Sequence, residues 1–137
     1  MKKLFVDTGG FLAKEIASDQ HHAVATREWK DASAFVLLSS EHILDECATL
    51  LARRTNYAWA SAWGKEALGS GIEWIQAEPP DWETAFSLMR KYADQGVSFT
   101  DCLSFALMRR IGVREVFGFD RHFEAAGFRL RPGASEE

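Results

Sequence analysis

Short apolar runs that alternate with longer helical patterns constrain the fold of this chain more than any other feature. Residues 4–6, 35–38, 72–75 and 113–119 form runs of strand length, and residues 128–130 predict a fifth strand at an edge. Strands that alternate with helices form parallel sheets with right-handed crossovers. The sequence therefore predicts an α/β fold in which helices cover both faces of a parallel sheet.

The helical patterns have recognisable ends. Ser40 is the predicted N-cap of the third helix, and either Ser98 or Thr100 caps the sixth, which Gly112 follows. Helices are predicted over residues 10–17, 19–32, 41–54, 57–68, 79–93 and 99–111, with a short helical turn that begins at Asp120. Strands and helices thus follow one another along the whole chain, without a composition break.

Length and composition indicate one folded domain. The chain has 137 residues, and we expect the domain to span residues 1–132 and the tail at 133–137 to fray. A net charge of −4 argues against a histone-like binder of nucleic acid, although an acidic catalytic centre with a basic rim remains compatible with it. Asp7 ends the first apolar run and no membrane span is evident, so we expect a cytoplasmic protein with reduced cysteines and no membrane contact.

Four carboxylates occupy comparable places at the rim of the predicted sheet. Asp7 and Asp120 each end a strand, Glu46 flanks the apolar stripe of the third helix, and Asp101 lies in the first turn of a helix that is apolar nearly all round. Ligands of open α/β sheets bind beyond the carboxyl ends of the strands. We therefore expect these four side chains to meet in one pocket.

Each of these acids has an ordinary structural explanation when it is taken alone. Asp7 fits a turn after a strand, Glu46 fits a solvated helix face, and Asp101 and Asp120 fit helix starts. Four carboxylates at one rim, however, would repel one another and raise one another's pKa values unless a cation lay among them. Because Mg²⁺ and Mn²⁺ prefer such oxygen ligands, the set as a whole favours a metal site.

Four motifs, taken in order along the chain, resemble those of PIN-domain ribonucleases. They are FVDTG at residues 5–9, LDECATLL at 44–51, SFTDC at 98–102 and FGFDRHF at 117–123. The run DQHH at residues 19–22 also resembles the family's Asp-x-x-His stretch. The likeness spans nearly the whole chain and is greatest to the VapC-type toxins of bacterial and archaeal toxin–antitoxin pairs.

The resemblance implies a three-layer α/β/α sandwich around a parallel sheet of four or five strands. It implies hydrolysis of RNA phosphodiester bonds with one or two Mg²⁺ or Mn²⁺ ions, which leaves a 5′-phosphate and a 3′-hydroxyl. It also implies an antitoxin partner and a homodimer. The residues to which it assigns catalysis are Asp7, Glu46, Asp101 and Asp120 as metal ligands, with the hydroxyl of Thr100 beside them.

Two positions depart from the family pattern without removing a carboxylate. Gly118 stands where Thr or Ala is usual, and Gly9 stands where Ser is common. Since Gly118 lies in the segment that leads to Asp120, this substitution is expected to loosen the loop that directs the Asp120 carboxylate.

Arginines and aromatic residues supply further candidates for binding. Arg53, Arg109 and Arg121 could contact RNA phosphates, although the first two also suit helix C-termini. Arg121 is the foremost of the three because it adjoins Asp120. Trp59 and Trp63, together with Tyr57, form a stripe that is most typical of a core; an antitoxin groove or a dimer surface comes second, and base stacking third.

Other functions stay open at this level. Asp7 could be a phosphorylated aspartate at the end of the first strand, but a late lysine to pair with it is missing, since none occurs after Lys91. A PIN-like housekeeping nuclease for RNA processing is a second alternative. A catalytically silent module that binds RNA or protein is a third, against which the presence of all four acids argues.

Overall fold

The computed structural model describes residues 1–133. Their five strands are β1 (Lys3–Val6), β2 (Val36–Ser40), β3 (Glu73–Ile75), β4 (Glu115–Phe117) and β5 (Arg129–Arg131). Their α-helices are α1 (Thr8–Glu15), α2 (His22–Asp31), α3 (Glu41–Arg54), α4 (Tyr57–Leu68), α5 (Pro79–Lys91), α6 (Phe99–Ile111) and α7 (His122–Ala125). The predicted strand and helix order is confirmed over these residues; positions 134–137 of the expected tail lie outside them.

All strand pairs are parallel, in the order β3-β2-β1-β4-β5. With right-handed crossovers, α1 to α4 cover one face of this sheet and α5 to α7 cover the other. The helix contacts agree, because α1 packs on α2 and α3 and α3 packs on α4, whereas α6 packs on α5 and α7. The α/β/α sandwich with a five-stranded parallel sheet is thus confirmed.

Aromatic side chains fill the core on both faces of the sheet. On the α1 to α4 side, the Phe11 ring lies 5.7 Å from that of Trp63 and 5.8 Å from that of Trp74, measured between centroids. On the other side, Phe105 and Phe123 meet edge to face at 4.9 Å. Trp63 is therefore a core residue, and burial of these rings stabilises both helical layers. The core prediction was wrong for the rest of its stripe, because Trp59 is 39% exposed and Tyr57 is 82% exposed.

Several element boundaries differ from the sequence prediction by one to three residues. The second helix begins at His22 and not at Asp19, because Oδ1 of Asp19 accepts a hydrogen bond from the backbone N–H of His21 in a turn before the helix. The fourth strand covers residues 115–117 and not 113–119, although Gly118 still donates its N–H to Arg131 O at the end of β5. No described helix is long and apolar enough to cross a lipid bilayer.

Candidate active site

The site lies at the carboxyl ends of β1 and β4, where the chain order of the sheet reverses. Asp7 follows β1 directly, and its backbone N–H donates to the carbonyl oxygen of Phe117 at the end of β4, over 3.0 Å. Asp120 stands three residues after β4. Because adjacent parallel strands end at the same edge, two carboxylates that are distant in sequence come together here.

Two helix segments bring the other acids to the same place. Ser98 caps α6, since its Oγ accepts from the backbone N–H of Asp101 over 3.1 Å, and this directs Asp101 towards the strand ends. Glu46 lies on α3, which Ser40 caps at the end of β2. The Thr100 hydroxyl donates to Oε2 of Glu46 over 3.2 Å and so joins α6 to α3 beside the pocket.

His122 is a further side chain of the site, and the sequence analysis did not select it. Ligand atoms of Asp101, Asp120 and His122 lie within 4.8 Å of one another, the tightest group that could hold a metal ion among the described residues. The His122 ring Nδ1 is 3.2 Å from Oδ1 of Asp120, and the His122 backbone N–H donates to the same oxygen over 2.9 Å. The signal was its position two residues after Asp120 in the FGFDRHF run.

Burial raises the pKa of Asp7 to about 7, far above its ordinary value of 3.8. The negative charges of Asp120 and Glu46 add to this shift. Hydrogen bonds from the backbone N–H groups of Thr8 and Gly9 oppose it, but they compensate only part of the loss of hydration. The Asp7 carboxyl is 4% exposed, so water does little to stabilise its charge.

Asp101 behaves in the same way. Burial raises the pKa of Asp101 to about 9, and the nearby charge of Asp7 is the next cause. A hydrogen bond with Asp120 and the charges of Asp120 and Glu46 raise the pKa further. The mutual influence of these groups means that all four predicted acids lie within electrostatic reach of one another.

The donor set fits a divalent cation. Oδ1 of Asp7 is buried and has no hydrogen-bond partner within residues 1–133. Buried polar atoms without partners are rare in native proteins, and each calls for an ion or a ligand. Since carboxylate oxygens are hard ligands, Mg²⁺ or Mn²⁺ suits the pocket and would remove the repulsion that raises the two pKa values.

Glycines allow the backbone to close tightly around Asp7. A Cβ atom on Gly10 would lie 2.4 Å from the Phe117 carbonyl oxygen, so only glycine lets α1 start this close to β4. A Cβ atom on Gly118 would lie 3.2 Å from the Cβ of Asp7. Gly118 therefore permits a close contact with Asp7, in addition to the effect on the Asp120 loop that its sequence position suggested.

A groove of about 430 Å³ leads away from Glu46 and Thr100 between α3 and the start of α6. Arg53, Trp82 and Phe99 line it as well, and the Trp82 and Phe99 rings stack at 5.6 Å. Arg53 is thus the predicted RNA contact that borders the carboxylates along this groove. Its mixed polar and aromatic lining suits a polynucleotide strand.

The other two arginines lie elsewhere. Arg121 is adjacent to Asp120, and its side chain, 63% exposed, approaches Oε1 of Glu124 at 3.5 Å. Arg109 lies in the last turn of α6, where its guanidinium donates to the Ala126 carbonyl oxygen over 3.2 Å. Because Asp101 is in the first turn of the same helix, about 12 Å away along its axis, Arg109 is not brought to the carboxylates.

The two cysteines lie directly after two of the acids but face the core. Cys47 and Cys102 are both free and fully buried. Burial raises the pKa of each thiol, which keeps the sulfur protonated and unsuited to metal binding.

Known proteins share this sequence and this fold. Residues 4–129 match the family described as PIN domain. The 23S rRNA-specific endonuclease VapC20 of Mycobacterium tuberculosis is 34% identical over 130 residues, which cover 94% of this chain and 98% of VapC20. Ribonuclease VapC26 of the same species is 31% identical over 130 residues, which cover 94% of this chain and 93% of VapC26.

Solved structures agree with these relatives. The crystal structure of VapC20, described as a sarcin–ricin loop cleaving toxin, superposes with a TM-score of 0.84 at 32% identity, covering 91% of this chain and 95% of that one. The DNA-bound VapBC of Salmonella typhimurium superposes with a TM-score of 0.66 at 16% identity, covering 95% and 97% of the two chains. The second likeness shows the fold alone.

Proposed function

Because this chain belongs to the PIN-domain family, we propose that it is a Mg²⁺- or Mn²⁺-dependent endoribonuclease and the VapC-type toxin of a toxin–antitoxin pair. The observation that supports the proposal is that Asp7, Glu46, Asp101 and Asp120, from four separate segments, lie close enough for their charges to raise the pKa values of the two buried members, Asp7 and Asp101. Without a cation, carboxylates with pKa values raised to about 7 and about 9 would destabilise the folded protein when they ionise. Around a cation, the same carboxylates would form a catalytic centre.

The acids of the site and their hydrogen-bonding neighbours have different roles in this proposal. Asp7 and Asp101 are the principal metal ligands, and Glu46 and Asp120 complete the ligand set or orient the attacking water. The Thr100 hydroxyl donates a hydrogen bond to Glu46 and so orients it. The His122 backbone N–H donates to Oδ1 of Asp120 and so orients that carboxylate. When bound there, Mg²⁺ or Mn²⁺ would supply Lewis-acid chemistry, which lowers the pKa of bound water and stabilises negative charge on a phosphate.

The substrate is RNA, held along the groove beside Glu46. Arg53 and Arg121 would neutralise phosphates on either side of the scissile bond, because both guanidinium groups are exposed near the acids. Hydrolysis in line would leave a 5′-phosphate and a 3′-hydroxyl. Since the relative VapC20 is named for cleavage of 23S rRNA and of the sarcin–ricin loop, a sarcin–ricin loop oligonucleotide is the first substrate to test.

Cleavage assays test this function directly. We expect the wild-type protein to cut RNA in the presence of Mn²⁺ or Mg²⁺ and not in EDTA. Asp7→Asn and Asp101→Asn should each lower the rate by about a hundredfold or more, because each removes charge stabilisation from the transition state. Undiminished activity in either variant would end the assignment of that residue, and an EDTA-resistant rate would end the assignment of a metal.

We also propose two protein partners for this chain, both in the cytoplasm. The first is an antitoxin, expected from the product of a neighbouring reading frame, and the groove of about 590 Å³ between α3 and α4 is the surface we assign to it. Leu44, Ala48 and Leu68 give this groove a mainly apolar lining, which suits an amphipathic helix. Co-purification of the two gene products, and its loss in Leu68→Glu, is the test.

The second partner is another copy of the chain, paired through α5. Trp82, Phe86 and Met89 form a stripe on the outer face of this helix and are 41%, 57% and 44% exposed. Their spacing of four and three residues places them on one side of α5. Glu83 and Arg90 flank opposite ends of the stripe, so two antiparallel copies of α5 related by a twofold axis would bring unlike charges together.

A further inference from the structure

The imidazole of His42 bridges the two helices that carry Glu46 and Asp101. His42 lies in the first turn of α3, and its Nδ1 is 2.6 Å from the hydroxyl of Ser40. Its Nε2 is 3.2 Å from the carbonyl oxygen of Thr100 and 3.1 Å from the hydroxyl of Ser104, both on α6. Both ring nitrogens are therefore within hydrogen-bonding distance of groups on different elements.

The partners of the ring fix its tautomer. A carbonyl oxygen only accepts, so Nε2 carries the proton and donates to Thr100. Nδ1 then accepts from the Ser40 hydroxyl, whose oxygen itself accepts from the backbone N–H of Ile43 over 3.4 Å. Burial lowers the pKa of His42, which favours this neutral form. The result is a continuous chain of hydrogen bonds from the end of β2 to the first turn of α6.

Few other contacts hold these two helices together. The principal neighbours of α3 are α4 and α1, whereas those of α6 are α5 and α7. Glu46 lies one helical turn after His42 and on the same side of α3. Thr100 is consequently held at two atoms, its carbonyl oxygen by His42 and its hydroxyl by Glu46. The distance between Glu46 and Asp101 depends on these bonds.

We propose that His42 is a positioning residue, which sets the spacing of α3 and α6 and thereby holds Glu46 within the group of acids that binds the metal. This inference rests on the proposed function. His42 also lines the groove beside Glu46, but the role assigned to it here is to act through the spacing of the two helices and not as a metal ligand. Loss of the bridge would let the first turns of α3 and α6 separate, and displacement of one carboxylate by a fraction of an ångström is enough to weaken a multidentate site.

Four variants test the role. His42→Ala removes the bridge, His42→Asn keeps a polar group too short to reach Thr100, and His42→Gln restores an N–H donor at the distance of Nε2. His22→Ala is the matched control, because His22 also bonds a backbone carbonyl of a neighbouring helix through a ring nitrogen, that of Ala13 on α1 over 2.7 Å. The measurements are kcat and KM for RNA cleavage and the Mn²⁺ concentration that gives half of the metal-induced rise in Tm.

We expect His42→Ala and His42→Asn to raise the Mn²⁺ midpoint and to lower kcat by about tenfold each, with KM for RNA within about twofold of wild type. His42→Gln should recover most of both losses. His22→Ala should lower Tm and leave the Mn²⁺ midpoint and kcat unchanged. The inference is overturned if the His42→Asn and His42→Gln proteins behave alike, or if every His42 variant lowers Tm as His22→Ala does and changes neither the midpoint nor kcat. If His42→Ala does not fold, the Asn and Gln pair decides.

Failure of the proposed function has a different outcome. A wild-type protein without cleavage and without a Mn²⁺ response would refute the ribonuclease assignment. The hydrogen-bonded bridge through His42 is then tested in the metal-free protein, by measuring hydrogen exchange of the Ser104 backbone amide in the first two turns of α6. Exchange about tenfold faster in His42→Asn than in wild type and His42→Gln would uphold the bridge, and equal rates in all three proteins would overturn it.

Discussion

The hydroxyl of Thr100 donates a hydrogen bond to Oε2 of Glu46 over 3.2 Å, although the two residues are 54 positions apart in sequence. Thr100 precedes Asp101 on α6, and Glu46 is on α3. One bond between side chains therefore connects the two helices that deliver acids to the pocket. From the local sequence, Thr100 was an equal candidate for the N-cap of α6. Ser98 is the N-cap instead, which leaves the Thr100 hydroxyl to bond Glu46.

Thr100→Val should lower RNA cleavage without unfolding the protein. Valine has the shape of threonine but no hydroxyl, so Glu46 loses a donor worth about 1 kcal/mol, or about fivefold in rate if the bond persists in the transition state. Steady-state cleavage rates and Tm check this. Thr49→Val is the control, since Thr49 lines the groove beside Glu46 and Thr100 but makes no hydrogen bond to an acid. Equal rates in both variants would contradict a role for the Thr100 hydroxyl.

The metal-free protein should lose stability as pH rises. Asp7 and Asp101 have pKa values of about 7 and about 9 in the folded protein, against 3.8 when unperturbed. The folded state therefore binds more protons than the unfolded state between these limits, and the free energy of unfolding decreases with pH across that window. The free energy of unfolding by urea, measured in EDTA from pH 5 to pH 9, tests the sign.

Asp101→Asn serves as the reference for that titration, because it removes the group with the highest raised pKa. We expect a shallower decline of stability with pH in this variant than in wild type. A wild-type curve that is flat or rising relative to Asp101→Asn would contradict the repulsion that we infer among the acids.

Mg²⁺ or Mn²⁺ should raise the Tm of the wild-type protein, and more at pH 8 than at pH 6. Ions that bind only the folded state stabilise it by mass action, and deprotonated carboxylates bind them better. Asp101→Asn should abolish most of this rise, while in EDTA at pH 8 its Tm should equal or exceed that of wild type. Asp45→Asn is the control, because Asp45 is exposed and lines the groove beside Glu46 but is not among the charges that raise the pKa of Asp7 or Asp101. A full metal response in Asp101→Asn would refute the site.

Two helical glycines should respond oppositely to the same substitution. Gly10→Ala should destabilise the protein by about 2 kcal/mol or more, because the new methyl group overlaps the Phe117 carbonyl oxygen at the end of β4. Gly64→Ala should stabilise it by up to about 1 kcal/mol, because a Cβ there has no neighbour within 4 Å and alanine favours the helix. Urea denaturation measures both. Similar values for the two variants would contradict the close approach of α1 to β4.

Phe86→Glu should convert the proposed homodimer to a monomer. The substitution places a charge at the centre of the apolar stripe on α5, where two copies are proposed to meet. Light scattering after size-exclusion chromatography gives the mass. Tyr57→Glu is the control, since Tyr57 is 82% exposed but lies on α4, away from this stripe. A wild-type monomer, or a Phe86→Glu dimer, would show that α5 is not the contact surface.

Much of this protein could be predicted from local patterns. The alternation of apolar runs with helical stripes fixed the element order, and the caps at Ser40 and Ser98 follow from side-chain chemistry within one turn of the helix. The four acids were also predicted from sequence, because each stands where a strand or an apolar helix makes a carboxylate unexpected. These are short-range properties, which the backbone and its immediate neighbours determine.

The tertiary structure decided what these residues do to one another. The bridge by His42 and the approach of His122 to Asp120 depend on contacts between segments that the sequence does not place in register. Arg109 and Asp101 show the same limit, since they share one helix but lie at its opposite ends. Burial removes hydration from Asp7 and Asp101, and the other acids approach them, only when distant segments pack together. The raised pKa values of Asp7 and Asp101 therefore arise only once the sheet and both helical layers have packed.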